Sequence, residues 1–312
     1  MNIGKHIMTA VKGFGMGAAN VVPGVSGGTV ALLTGIYGEV IASLNALVSP
    51  STWKLLSKEG LGAFWRRING NFVCSLAVGM LLSVFSLAKL VTYVMTWHPV
   101  QTWAFFFGLI IASAVYMLFD VKGWRVVDVL WTVSGVLFGV VICTLSPTET
   151  TNGLWFIFVC GALAVCTMIL PGISGSFVLV ILGKYGYILD AVGELDVICL
   201  GVFALGCLVG LLAFAKFLHW LLEHYGRQTM LVLIGFVIGS LVKVWPWNDM
   251  IAVAEANFLA DGLLPEAAHT AAEALSGFAI HTDMHVSGAV IWAIAGMAFV
   301  WLLESWSRRK ES

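Results

Sequence analysis

Pro23-Gly24-Val25-Ser26-Gly27-Gly28 stands near the start of the chain, and Pro171-Gly172-Ile173-Ser174-Gly175-Ser176 repeats it 148 positions later. Val30, Gly35, Tyr37 and Gly38 recur at the same spacing as Val178, Gly183, Tyr185 and Gly186. Both copies interrupt long apolar stretches. Paired helix-breaking interruptions at corresponding places are the sequence mark of a substrate site in a secondary transporter.

The surrounding composition names the solvent. Hydrophobic residues make up 60% of the chain and charged residues 11%, where a globular domain carries about a quarter charged. A soluble fold is excluded. The net charge of −1 carries no signal for a nucleic-acid partner, and none is expected. Cys74, Cys143, Cys160, Cys166, Cys199 and Cys207 lie in apolar runs without a C-x-x-C pair, so they read as small hydrophobes. Lys5 followed by an apolar run and Gly17-Ala18-Ala19 imitates a signal peptide. That segment belongs to the repeated unit, and it is expected to stay in the mature protein.

The predicted fold is an all-α polytopic membrane protein built from two inverted-topology repeats. Residues 1–148 hold a broken or re-entrant hairpin over 5–48 and spans over 72–97, 100–119 and 126–145. Residues 149–312 hold a hairpin over 153–192 and spans over 197–222, 229–244 and 286–303. Each span is near the ~20 residues a bilayer requires. Each hairpin reads as two helices meeting at a tip, where Pro23 or Pro171 ends the first helix and glycines let the backbone turn.

Orientation follows from lysine and arginine. Lys54, Lys58, Arg66 and Arg67 in the linker 49–71, Lys122 and Arg125, and Arg308-Arg309-Lys310 are expected on the cytoplasmic side, with both termini. The loop 247–285 carries Asp249, Glu255, Asp261, Glu266, Glu273 and Asp283 without lysine or arginine, and is expected outside. Three spans per half are an odd number, which makes the halves inverted copies. Beyond the linker the shift drops to 127: Gly79, Ala88 and Lys89 match Gly206, Ala215 and Lys216, and Gly108, Ile111 and Ser113 match Gly235, Ile238 and Ser240. The third spans align only loosely.

Chemistry points to the tips. Non-helical backbone at membrane depth must be buried in protein or face a watery cavity, and a helix beginning there offers free N–H groups to an anion. Asn20, Gly24, Ser26, Gly27, Gly28, Thr29, Gly172, Ser174, Gly175 and Ser176 are the expected substrate-binding set; a plain tight turn is the alternative. Lys89 and Lys216 add intramembrane charge, which costs ~2.5–3.5 kcal/mol at the bilayer centre, unless they snorkel. Lys12, Lys184 and Lys243 read as interfacial. Glu39 is a coupling candidate or an interfacial carboxylate. No metal, dinucleotide or nucleophile–base pattern is present in the sequence. Gly135 and Gly139 read as a packing face.

The run from Gly15 to Thr29, with Gly35-Ile36-Tyr37-Gly38, resembles the opening signature of the PopT-type polyprenyl-phosphate translocases, and Ile169–Ser176 is similar to their second signature. The resemblance implies a multi-pass bacterial plasma-membrane protein returning undecaprenyl phosphate from the outer to the inner leaflet for cell-wall synthesis. It implies no cofactor and no enzymatic step, with a proton or sodium ion as possible coupling ion. Members often carry an acidic residue after Gly-x-Tyr. Here Gly38 and Gly186 stand there, and Glu39 follows one position later in the first copy alone. A secondary transporter of a small anion is the runner-up reading. A lipid-phosphate enzyme would need an activated nucleophile, and a scaffold would leave the doubled phrase without purpose.

Overall fold

The computed structural model describes residues 3–21, 26–145, 150–247, 259, 269–270 and 285–311. Among them every regular element is helical, as a chain in lipid requires when each backbone group must be satisfied within its own segment. The first half contains α1 (Ile3–Val21), α2 (Gly27–Leu33), α3 (Tyr37–Val48), α4 (Pro50–Glu59), α5 (Leu61–Arg67), α6 (Gly70–Trp97), α7 (Pro99–Asp120) and α8 (Val126–Thr144). The second contains α9 (Leu154–Ile169), α10 (Gly175–Ile181), α11 (Tyr185–Gly193), α12 (Val197–Gly239), a 3-10 turn at Ser240–Val242, and α13 (Val286–Glu311). Four helices (α6, α7, α8 and α12) are long and apolar enough to cross a membrane, and the α10–α11 pair, bent by 108°, makes a fifth candidate. The acidic side chains of the 247–285 loop lie outside the described residues.

At 43 residues, α12 would measure about 65 Å if straight, twice a hydrocarbon core of ~30 Å. It is not straight. Tyr225 leaves helical geometry (φ −132°, ψ 38°), and the Thr229 hydroxyl donates to Leu221 O at 3.4 Å, eight residues back. Eight residues of straight helix span ~12 Å, so the chain folds back here, between the stretches expected as the spans 197–222 and 229–244. The same joint sits 127 positions earlier. His98 (φ −140°, ψ 54°) separates α6 from α7, and the Thr102 hydroxyl donates to Val94 O at 3.0 Å.

Helix crossings repeat with the sequence. A Cβ on Gly79 would run into the Ala10 carbonyl where α6 crosses α1, and one on Gly206 would run into the Phe158 carbonyl where α12 crosses α9. The third spans, loosely aligned by sequence, also acquire a register. Gly135 meets Val232 as Gly296 meets Phe105, and Gly235 meets Thr132 as Gly108 meets Ala293. These pairs set α8 against α13 at a spacing of 161 positions. Each third span therefore packs on the second span of the other half, and residue numbers rise together along both pairs, so the packing is parallel. Gly139 continues the α8 face against the Phe236 carbonyl, as the small-residue spacing predicts.

Two corrections concern the hairpins. Each contains three helices, not two, because the second arm breaks again after one short helix. Gly35 (φ +70°) and Gly183 (φ +63°) take the left-handed conformation that glycine tolerates. A broken helix leaves carbonyls to be satisfied, and this recruits side chains read as interfacial. Lys12 Nζ donates to Thr34 O at 2.8 Å. At the matching position Thr150 Oγ1 donates to Leu182 O at 2.6 Å. Lys184, only 3% exposed, donates to Thr150 O at 2.8 Å and Asn152 Oδ1 at 2.6 Å.

The largest buried cluster joins Leu32, Tyr37 and Ile41 of the first hairpin to Leu76, Ile110, Leu233 and Val237. Polar structure gathers at one end of the α8–α12 pair. Arg227 donates through Nε to Asp128 Oδ1 at 3.1 Å and through Nη2 to Oδ2 at 2.7 Å. It also holds Lys122 O and Gly123 O, at 3.0 and 2.9 Å. The equivalent place on the α7–α13 pair is apolar, with Val100 and Ala289 buried beside Ala104.

Candidate functional site

Ser26 and Ser174 begin α2 and α10 as N-caps in extended conformation, accepting from Gly28 N at 3.1 Å and from Phe177 N at 3.3 Å. Both serve the usual role of a capping hydroxyl. The two tips are not separate. Ser26 Oγ donates to Leu170 O at 3.1 Å, Tyr37 OH donates to Ile169 O at 3.2 Å, and Gly172 N donates to Thr29 Oγ1 at 2.8 Å. Residues more than 130 positions apart thus lock the start of α2 onto the end of α9. Space is minimal: a Cβ on Gly28 would sit 2.8 Å from Ile169 O, and one on Gly172 (φ +97°) 2.9 Å from Ser240 Oγ.

The tips use their polar groups differently. At the first, Asn20 Oδ1 accepts from Gly27 N at 2.7 Å, Ser26 is occupied twice, and Thr29, 2% exposed, faces Gly172. Gly24 lies outside the described residues. At the second, Met168 stands where Asn20 stands, and Phe177 where Thr29 stands. Methionine brings no oxygen for Gly175 N, and Ser174 Oγ accepts from Phe177 N instead of Ser176 N, so neither amide has an acceptor among the described residues. The hydroxyls of Ser174 and Ser176 pair with each other at 3.1 Å, with Ser176 on the exposed side. A cluster of donors at a helix start, with Ser176 exposed, is chemistry for an oxyanion.

Charged groups distribute unevenly. Lys216 is exposed on α12 and makes no hydrogen bond or ion pair among the described residues. Its counterpart Lys89 lies in α6, with its side chain outside them. Glu39 Oε1 accepts from Asn69 Nδ2 at 2.7 Å, which places it at the linker end of α6. Sequence reasoning missed Lys243, whose Nζ lies 4.9 Å from the centre of the Phe177 ring, one residue after Ser176. The signal was the Ser113–Ser240 match, because Ser240 packs on Gly172 just before Lys243. Tyr37 was visible as a repeat match, without its role at Ile169. No group of three His, Cys, Asp or Glu side chains arranged for a metal occurs among the described residues.

A protein of Vibrio cholerae named polyprenyl-phosphate transporter is 40% identical over 247 residues, covering 79% of this chain and 80% of its own. One of Staphylococcus aureus with the same name is 33% identical over 259 residues, covering 76% and 85%. No solved structure matches the chain significantly. The sequence model described as undecaprenyl phosphate translocase-like matches residues 16–259, an interval that contains both tips. With that match and those two relatives, the chain belongs to the undecaprenyl phosphate translocase-like family.

Proposed function

We propose that this protein carries a polyprenyl phosphate, undecaprenyl phosphate in particular, from the outer to the inner leaflet of the bacterial plasma membrane. The observation that carries the reading is the meeting of the two tips: the doubled phrase forms one centre through Ser26, Tyr37, Thr29 and Gly172. Moving a bare phosphate into a medium of dielectric ~4 carries a Born cost of order 20 kcal/mol. Donors preorganised at the tips offset that cost, and the prenyl tail stays in lipid. The headgroup is assigned to the second tip, to the amides of Gly175 and Ser176 and the hydroxyls of Ser174 and Ser176. Lys216, and Lys89 by its repeat match, are assigned to its approach.

The inverted arrangement is supported by the parallel packing of α7 on α13 and of α8 on α12. The five-residue turn between α7 and α8 makes α8 start on the side where α7 ends, so the two parallel pairs run in opposite senses. Arg227 against Lys122 and Gly123 supports placing both basic turns on one side, the cytoplasmic one, with the termini. Alternating access then exchanges the roles of the two hairpins. No bond is made or broken in the substrate, so the protein acts as a transporter.

The test is reconstitution into vesicles with undecaprenyl phosphate and a leaflet-specific probe of the phosphate. Wild type is expected to equilibrate the lipid between leaflets, and Ser174→Ala/Ser176→Ala to slow it at unchanged insertion. Transport of soluble phosphate without movement of the lipid would overturn the assignment in favour of a small-anion transporter.

A further inference from the structure

Between the first hairpin and α6 the chain inserts α4 and α5. The corresponding connection of the second half, between α11 and α12, is Glu194-Leu195-Asp196. The repeated fold therefore does not need the insertion. The two connections also carry opposite charge: Lys54, Lys58, Arg66 and Arg67 against Glu59 alone in the first, and two carboxylates without a base in the second.

All four basic side chains are exposed, and none is hydrogen-bonded or ion-paired among the described residues. Large apolar groups share the same short segment. Trp53 is 52% exposed, Leu61 70% and Trp65 38%. Both tryptophans are held in place from within: Trp53 Nε1 donates to Leu47 O at 2.8 Å and Trp65 Nε1 to Asn71 Oδ1 at 2.9 Å. The Trp53 ring also lies 5.1 Å from that of the buried Phe64. With their polar edges satisfied, these rings present carbon outward beside unpaired cations. Water hydrates the cations but not the outward carbon; the headgroup layer of an anionic leaflet accommodates both together.

We propose that α4 and α5 form a docking surface for the anionic headgroups of bulk phospholipid in the leaflet they face, with Trp53, Leu61 and Trp65 seated at the acyl boundary. Lys54 and Lys58, one turn apart on α4, and Arg66 and Arg67 on α5 take the phosphates. The surface anchors the end of α3 and the start of α6, and so holds the outer edge of the first hairpin against the membrane plane.

The experiment uses the purified full chain in detergent, titrated separately with phosphatidylglycerol, phosphatidylcholine and undecaprenyl phosphate, with retained lipid read by native mass spectrometry. Wild type is expected to hold phosphatidylglycerol in preference to phosphatidylcholine. Each base removed should lower that retention about fivefold, the weight of one lysine or arginine at an anionic leaflet. Lys54→Gln/Lys58→Gln removes side chains that make no hydrogen bond or ion pair among the described residues, and Lys54→Arg/Lys58→Arg should restore retention. Equal phosphatidylglycerol retention in the Gln pair and wild type overturns the proposal, as does failure of the Arg pair to restore it. Loss of undecaprenyl phosphate alone assigns the surface to the transported lipid, and also overturns it.

Discussion

Thr29→Val tests the contact between the tips with the least disturbance of shape. The hydroxyl accepts from Gly172 N at 2.8 Å, and both groups are buried. Valine fills the same volume and leaves the Gly172 amide without a partner. An orphaned buried donor costs ~1–3 kcal/mol, which corresponds to ~5–150-fold in the population of the interlocked arrangement. Ser26 and Tyr37 bridge the same tips, so the locked form weakens without being abolished. Transport of lipid phosphate in vesicles and the thermal midpoint in detergent are the two readouts. Thr29→Val should depress transport by about that factor and lower the midpoint, while Thr29→Ser, which keeps the acceptor, should stay near wild type. If Thr29→Val matches wild type in both, the bridge between the hairpins contributes nothing and the single-centre reading fails.

Further outcomes follow from the asymmetry and packing described above. Met168→Asn gives the second tip the acceptor that Asn20 supplies to Gly27, so it should occupy the Gly175 amide and raise the substrate concentration for half-maximal transport at unchanged stability; an unaltered concentration dependence would remove the amides from the site. Asp128→Asn leaves Arg227 without its charge partner and should lower the thermal midpoint, with Arg227→Lys also lowering it because a lysine cannot hold the carboxylate and two carbonyls together; two wild-type midpoints would make the pair dispensable. Single cysteines at Lys58 and Glu266, in a background without the native six, should label from opposite sides of the membrane, and same-side labelling would remove the inverted topology.

Much of this architecture was legible because glycine and proline act locally. Pro171, Gly172 and Gly175 mark the tip from the chain alone, and the 127 spacing already pairs Gly79 with Gly206 and Gly108 with Gly235, glycines at which helices cross. The third spans escaped because their register rests on Gly135 and Gly296 at carbonyl contacts, which hydropathy does not register. Second-arm breaks at Gly35 and Gly183 were obscured by apolar residues on both sides, and Lys12 and Lys184 looked interfacial for want of a visible partner. Most instructive are Ser26 and Thr29. Composition marks them as donors beside a helix start, but whether a hydroxyl turns to a ligand or to another backbone depends on what packs opposite. Here that is Leu170 and Gly172, more than 140 residues away in sequence.

The two ends at which the halves grip each other obey different forces. Where Arg227 clasps Asp128, dissolved ions compete for the contact and weaken it as their concentration rises. Where Val100 meets Ala289, added salt has nothing to screen, and close packing alone holds the contact. Brine thus acts on one end of the machine and spares the other, so its resting posture in a cell depends on the medium as well as on its cargo.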